Sequence, residues 1–320
     1  MLKISLPALE VEREVQRQSD YLEGILNSTL GTATSLSSIQ RNPNQGRRES
    51  IYELNLADSS KLILKLSKPW SVREEIAGLK YAEKIGIPAP GIIYSDETKN
   101  SPLGIPFIIM DYLCTETPRQ LFSGGVPIKR FGRERSVDPI AIQQHVFDSL
   151  RVIQALHKPL SATSPGSTPM QKHEEYLYLK GAIQNMAKPE ARKQLTHVLN
   201  ALFKYYGDNQ EAFAKSRLCK LHGDLDITNI AHTPEGIMLI DWEHYHEGDS
   251  AEDIAYFLER NLLLPKKQFD EQKGIIQERY SKKDATFPVR LYFYTPLMRL
   301  QATVYHDIPK EELLDCMRDF

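Results

Sequence analysis

The sequence predicts an α+β fold in two lobes, a small antiparallel sheet followed by a larger, mostly helical part. Three observations predict it. Residues 31–67 alternate apolar and polar with period two: Tyr52, Leu54 and Leu56, then Leu62, Leu64 and Leu66. A single helical stretch then precedes two further strand-like pieces. Beyond Leu113 the apolar period lengthens to that of a helix for most of the remaining chain.

Each element has its own local reason. Residues 8–27 read as a helix with Leu9, Val15, Leu22, Ile25 and Leu26 on one face, ended by Gly31. A strand around 32–39 leads through the polar loop Arg41-Asn42-Pro43-Asn44-Gln45-Gly46-Arg47-Arg48 to a hairpin whose turn is Ala57-Asp58-Ser59-Ser60. Ser71 and Glu74 have capping-box spacing, and Val72, Ile76, Leu79 and Ala82 form the buried stripe of the helix they open. Gly86, Pro88 and Pro90 stop it. Strands are expected at 91–94 and 106–112, with a hinge at 111–113. Asp138-Pro139 opens a helix to about His157, with Ile142, Val146, Leu150, Ile153 and Leu156 inward. Helices follow at 171–186, 189–206, 251–263, 266–280, 288–305 and 309–318. A strand–loop–strand–turn–strand interruption lies between Leu218 and Trp242. The expected organisation is an N-terminal helical extension at 1–30, a sheet lobe at 31–111 and a helical lobe at 112–320.

Composition narrows the function classes. The chain has 320 residues, with 40 Lys plus Arg against 42 Asp plus Glu and a net charge of −2. That balance gives a nucleic-acid partner no electrostatic support. Cys114, Cys219 and Cys316 are too few for a disulfide framework or a cysteine-rich zinc site. No apolar run is long enough to span a bilayer, and the N-terminus lacks the features of a secretory signal. A cytoplasmic protein with no membrane partner is expected.

The interruption in the helical part carries the chemistry. It reads Leu221-His222-Gly223-Asp224-Leu225-Asp226-Ile227-Thr228-Asn229-Ile230, then Leu239-Ile240-Asp241-Trp242-Glu243. Asp224, Asn229 and Asp241 supply three oxygen-bearing side chains on loops beside short strands. Such hard donors suit Mg2+, which takes one or two carboxylates together with substrate phosphates. Asp and Asn also cap turns, and that structural role competes at each position. In the sheet lobe, Lys65 lies inside the apolar run Leu62-Ile63-Leu64-Lys65-Leu66, where an inward lysine is costly unless paired.

His-Gly-Asp-x-x-x-x-Asn followed by Ile-Asp-Trp resembles the catalytic motif of the aminoglycoside phosphotransferase and choline kinase superfamily, small-molecule kinases of protein-kinase-like fold. The resemblance runs from about Ser37 to Phe257. It implies a bilobal fold and an ATP-dependent transfer of phosphate to a hydroxyl group, with GTP as the alternative donor and Mg2+ as the metal. It implies that Asp224 accepts or orients the acceptor's hydroxyl proton, and that Asn229 and Asp241 hold the metal. Lys65 resembles the phosphate-binding lysine of the V-A-I-K motif. Its partner comes from the following helix. Glu74 and Glu75 both qualify; Glu74 has the competing capping role, and the spacing of Glu75 to Gly86-Ile87-Pro88 fits the family pattern better. Met110 is expected behind the adenine, with the Asp111 carbonyl and the Leu113 N–H reading the purine edge.

The chain departs from kinase patterns in three places. Gly46 alone stands where protein kinases carry a glycine-rich fingerprint, which leaves Arg47 and Arg48 as weak phosphate contacts. Asp226-Ile227-Thr228 replaces the His-Pro-Gly of many aminoglycoside kinases. Trp242-Glu243 replaces Phe-Gly, so no activation-loop flip is expected, and protein-kinase activity is disfavoured. Residues 241–253 hold six carboxylates and no Lys or Arg. Asp249 and Asp253 are expected to brace loops. Glu243 and Glu247, with Asp315 and Asp319, would attract a cationic acceptor if they face the site. His244 and His246 form a weak metal pair lacking a third ligand. The acceptor is expected to be a small molecule: an aminoglycoside-like compound, or choline, ethanolamine, a sugar or a fructosamine. A non-catalytic nucleotide-binding pseudokinase is the remaining alternative.

Overall fold

The computed structural model describes residues 8–31, 33–42, 50–98, 100–113, 126–130, 133–137, 139–160, 169–261 and 266–306. Expectations at Gly46, Arg47, Arg48, Cys114, Asp315, Cys316, Asp319 and the helix 309–318 lie outside them. The chain divides into two compact units: residues 1–115 with 233–245, and residues 116–232 with 246–320.

The first unit begins with α1 (Ala8–Arg17) and α2 (Ser19–Leu30), one stretch in the sequence reading but broken at Gln18. Gly31 ends α2 in the left-handed conformation, φ 67°, which glycine adopts without penalty. The strands are β1 (Leu36–Arg41), β2 (Ser50–Leu56), β3 (Lys61–Leu66), β4 (Ile92–Asp96) and β5 (Phe107–Asp111), with α3 (Pro69–Ile85) between β3 and β4. They form one antiparallel sheet in the order β1-β2-β3-β5-β4. In the β2–β3 turn, Asp58 accepts the Ser60 N–H at 2.9 Å, the local bond that makes Asp a turn former.

The sheet is covered on both faces. Leu62, Leu64, Leu66, Phe107 and Ile109 share a core with Val15, Leu22 and Leu26 from α1 and α2. Ile63, Ile108 and Met110 pack instead with Val72 and Ile76 of α3. Two buried faces explain why Ile63, between Leu62 and Leu64 in β3, is apolar too. Period two also places Lys65 on the Ile63 side, facing α3.

The capping-box expectation is corrected. The helix α3 starts at Pro69, with Lys68 before it and no side-chain cap. Proline at the first position supplies the helical φ and needs no N–H partner, so the helix begins two residues before Ser71. Residues 233–245 group with the first unit. The Leu239 N–H bonds the Pro88 carbonyl at 3.0 Å, and Asp241 reaches Lys65.

The second unit opens with a hairpin absent from the sequence reading, β6 (Val126–Arg130) and β7 (Arg133–Val137). Then come α4 (Pro139–Leu156), α5 (Pro169–Gln184), α6 (Pro189–Asp208), α7 (Gln210–Ala214), β8 (Leu218–Leu221), a 3-10 turn (Ile227–Asn229) and β9 (Ile230–Thr233). After β10 (Gly236–Leu239), which lies in the first unit, follow β11 (His246–Asp249), α8 (Ser250–Asn261), α9 (Lys266–Ser281) and α10 (Phe287–His306). The expected inward stripe of α4 is buried throughout. Strand β11 pairs antiparallel with β8. Among the described residues no helix is long and apolar enough to cross a membrane.

Candidate active site

The first unit holds one set of predicted residues. Lys65 on β3 and Glu75 on α3 are 4% and 2% exposed. The Lys65 Nζ lies 2.6 Å from Glu75 Oε2 and 2.5 Å from Asp241 Oδ1. One buried ammonium therefore serves two carboxylates, which is how a lysine survives inside a sheet. Of the two candidate partners, Glu75 is the one the fold turns toward Lys65. Burial pushes the Glu75 carboxyl up to about 7 against the pull of Lys65, and Asp241 and Glu243 push the same way.

That shift has a measurable consequence. Between its ordinary value of 4.5 and about 7, the folded chain keeps a proton on Glu75 that the unfolded chain has released. Stability therefore falls as pH rises through that window, by on the order of 3 kcal/mol from this group. Glu75→Gln is expected to flatten the slope. Urea midpoints measured at pH 5 and pH 8 for both proteins check this, and equal slopes would refute it.

Asp241 follows β10 in a left-handed conformation, φ 66°. Asp tolerates this region better than most residues. The turn is fixed by Trp242, fully buried, whose indole N–H donates to the Leu239 carbonyl at 3.0 Å. The Tyr245 N–H closes on the Trp242 carbonyl at 2.9 Å. Gly78 of α3 lets this segment approach: a methyl group there would lie 2.8 Å from Trp242 Cβ and 2.9 Å from its Cε3. Gly78→Ala gains about 1 kcal/mol of helix propensity. The clash is with a rigid Cβ, and overpacking of that kind costs about 1–3 kcal/mol. A net loss of stability is expected, read by urea denaturation; an unchanged midpoint would show that the segment yields freely.

Met110 is buried on the α3 face of the sheet. Asp111 ends β5, its N–H donating to the Gly91 carbonyl at 3.1 Å and its carboxylate accepting the Gly91 N–H at 2.9 Å. Leu113 follows, half-buried.

The second unit holds the other set. Asp224 comes just after β8. Its Oδ2 accepts the Asn229 amide at 2.8 Å, and its carbonyl accepts the same nitrogen at 3.0 Å. Its Oδ1 accepts the Tyr256 hydroxyl. Asn229 is 7% exposed and ends the 3-10 turn. Asp226 caps that turn, accepting the Thr228 N–H at 3.0 Å and its hydroxyl at 2.9 Å. Asp226 thereby shapes the loop.

Helix α8 grips the same loop from its buried face. Asp253 accepts the N–H groups of His222 and Gly223, both at 2.9 Å, and bonds His157 Nε2 at 3.0 Å. Burial alone would raise its carboxyl, but the bond and charge of His157, with those of His222, outweigh it and hold Asp253 below the usual range. His157 is itself oriented by the Tyr280 hydroxyl at 2.9 Å. Asp249 accepts the Ala251 N–H at 3.0 Å and Arg290 Nε at 2.7 Å.

The two acidic residues expected to attract a cation if they face the site both have partners. Glu243 takes the Ser71 hydroxyl, and Glu247 pairs with Lys220 at 2.6 Å. His244 lies beside Trp70, and His246 is 3.9 Å from Glu252. Among the described residues no group of three or more His, Cys, Asp or Glu gathers as a metal site. The sequence reading missed Tyr256 and His157. Tyr256 stands three residues after Asp253, hence on the same helix face, and that spacing was the available signal.

A family model, the phosphotransferase enzyme family, matches residues 40–292. No curated protein matches the sequence. Solved structures share the fold. An aminoglycoside-phosphotransferase-like protein of Ralstonia eutropha JMP134 is 16% identical, with a TM-score of 0.62 over 93% of each chain. The aminoglycoside phosphotransferase APH(4)-Ia, in a ternary complex with AMP-PNP and hygromycin B, is 15% identical, with a TM-score of 0.56 over 93% of each chain. The choline kinase LicA of Streptococcus pneumoniae is 14% identical, with a TM-score of 0.54 over 94% of this chain and 100% of its own.

Proposed function

The chain belongs to the phosphotransferase enzyme family, and from that premise we propose that it moves the γ-phosphoryl group of ATP, or alternatively GTP, onto a hydroxyl of a small molecule. The observation that carries this reading is Asp224, a carboxylate fixed at both oxygens within the family's motif. The acceptor oxygen bonds to the γ-phosphorus, the bond to the bridging oxygen breaks, and the nucleoside diphosphate leaves with that electron pair. The acceptor's proton passes to Asp224. Lys65, held by Glu75, binds the phosphates. Met110, the Asp111 carbonyl and the Leu113 N–H seat the base.

Asn229 and Asp241 would hold Mg2+, which when bound neutralises charge on the β- and γ-phosphates. Their donors fit a hard cation. Asp241 offers a carboxylate, and the Asn229 amide nitrogen is committed to Asp224, leaving its oxygen as the metal-binding end.

A cationic, aminoglycoside-like acceptor is the finer reading. APH(4)-Ia, of the same fold, is known with hygromycin B. Choline, ethanolamine, sugars and fructosamines form the alternative. The test is transfer of labelled γ-phosphate from Mg-ATP across aminoglycosides, choline, ethanolamine and amino sugars. Labelled product on one class assigns the acceptor; Mg-ATP binding without turnover would favour the non-catalytic alternative.

A further inference from the structure

Helix α8 registers three consecutive residues of the loop that carries Asp224. Asp253 takes the backbone N–H groups of His222 and Gly223. One turn along the same face, Tyr256 donates its hydroxyl to Asp224 Oδ1. The tyrosine is itself fixed: its ring is half-buried, and the Arg260 guanidinium lies 5.3 Å from the ring centroid. Burial, and next the Asp224 charge, raise its phenol well above the usual range, so it stays a donor.

A second clamp on Asp224 is Asn229, at Oδ2. Asn229 has a second task in the proposed reaction, through its oxygen. Tyr256 has none. We propose that Tyr256 is a positioning residue: its hydroxyl fixes the rotation of the Asp224 carboxylate, so that the second lone pair of Oδ1 meets the acceptor's hydroxyl. A carboxylate oxygen accepts two hydrogen bonds, so Tyr256 and the acceptor share Oδ1 without displacing one another. This inference rests on the transferase reading above.

The test is Tyr256→Phe, which keeps the ring, its packing and the Arg260 contact and removes one oxygen. A hydrogen bond to a charged group supports an expected fall of at least about tenfold in kcat. The KM for ATP should stay within about twofold, because the ion pair of Lys65 and Glu75 is formed within the other unit. A double-mutant cycle reads the contact without activity: Tyr256→Phe should lower the urea midpoint in the wild-type background and leave it unchanged in an Asp224→Ala background. A kcat within twofold of wild type, or purely additive midpoint shifts, overturns the role of Tyr256 and leaves the transferase reading intact. A wild type that transfers phosphate to no acceptor overturns both.

Discussion

Asp224→Asn is expected to lower kcat for phosphate transfer by about a thousandfold, the middle of the range for a lost general base. The change is isosteric, so the loop should keep its place. Asp253 still holds His222 and Gly223 by their backbone N–H groups, which the substitution does not touch. One local change follows. The Asp224 oxygens accept from Tyr256 and from Asn229, whereas an Asn has one accepting oxygen and an amide nitrogen that donates. With that oxygen kept toward Asn229, the amide N–H donates to the Tyr256 hydroxyl, which accepts as well as donates, so the cost in stability should stay below about 1 kcal/mol. Nucleotide affinity should be retained, because Lys65, Glu75 and Asp241 form their ion-pair set within the other unit. Single-turnover transfer alongside calorimetric titration with AMP-PNP checks both halves. Transfer within tenfold of wild type would remove Asp224 from the proposed mechanism.

Lys65→Met is expected to cost at least a hundredfold in kcat/KM for ATP, through lost phosphate contact and a mis-set Asp241. Its stability effect is the more informative part. Removing one partner of a buried ion pair commonly costs about 3–5 kcal/mol, because a bare charge is left inside. Glu75 has another route, since its carboxyl already sits up to about 7 and can take a proton when the ammonium goes. The loss should therefore be smaller at pH 5 than at pH 8. Lys65→Arg should not restore activity: a planar guanidinium needs room for its fork beside Glu75 and Asp241, where Nζ now sits 2.6 and 2.5 Å from their oxygens. Urea midpoints at the two pH values, with kcat/KM for ATP, decide the matter. A pH-independent loss of stability would show that Glu75 stays ionised without Lys65.

Much of the fold was legible because its signals are local. The alternation of Leu62, Leu64 and Leu66 marks a strand whatever it packs against, and the stripe Ile142 to Leu156 marks a helix. The β6–β7 hairpin was missed because its strands, Val126–Arg130 and Arg133–Val137, are short and rich in charge. The start of α3 was misplaced because Ser71 and Glu74 have capping spacing, while Pro69 had already opened the helix.

The site divides along the same line. Sequence by itself determined which residue types stand at which spacing: Asp224 and Asn229 on one short loop, Lys65 in an apolar strand, two acidic candidates on the next helix. Those facts follow from neighbours in the chain. Only the tertiary structure decided between Glu74 and Glu75, drew Asp241 to Lys65 across 176 positions, and set Tyr256 against Asp224 across 32. It also gave Glu243 and Glu247 the partners Ser71 and Lys220. The physical reason is burial. A charged or hydroxyl group removed from water must find a partner, and which partner it finds depends on what the packed elements bring within about 3 Å, not on spacing along the chain.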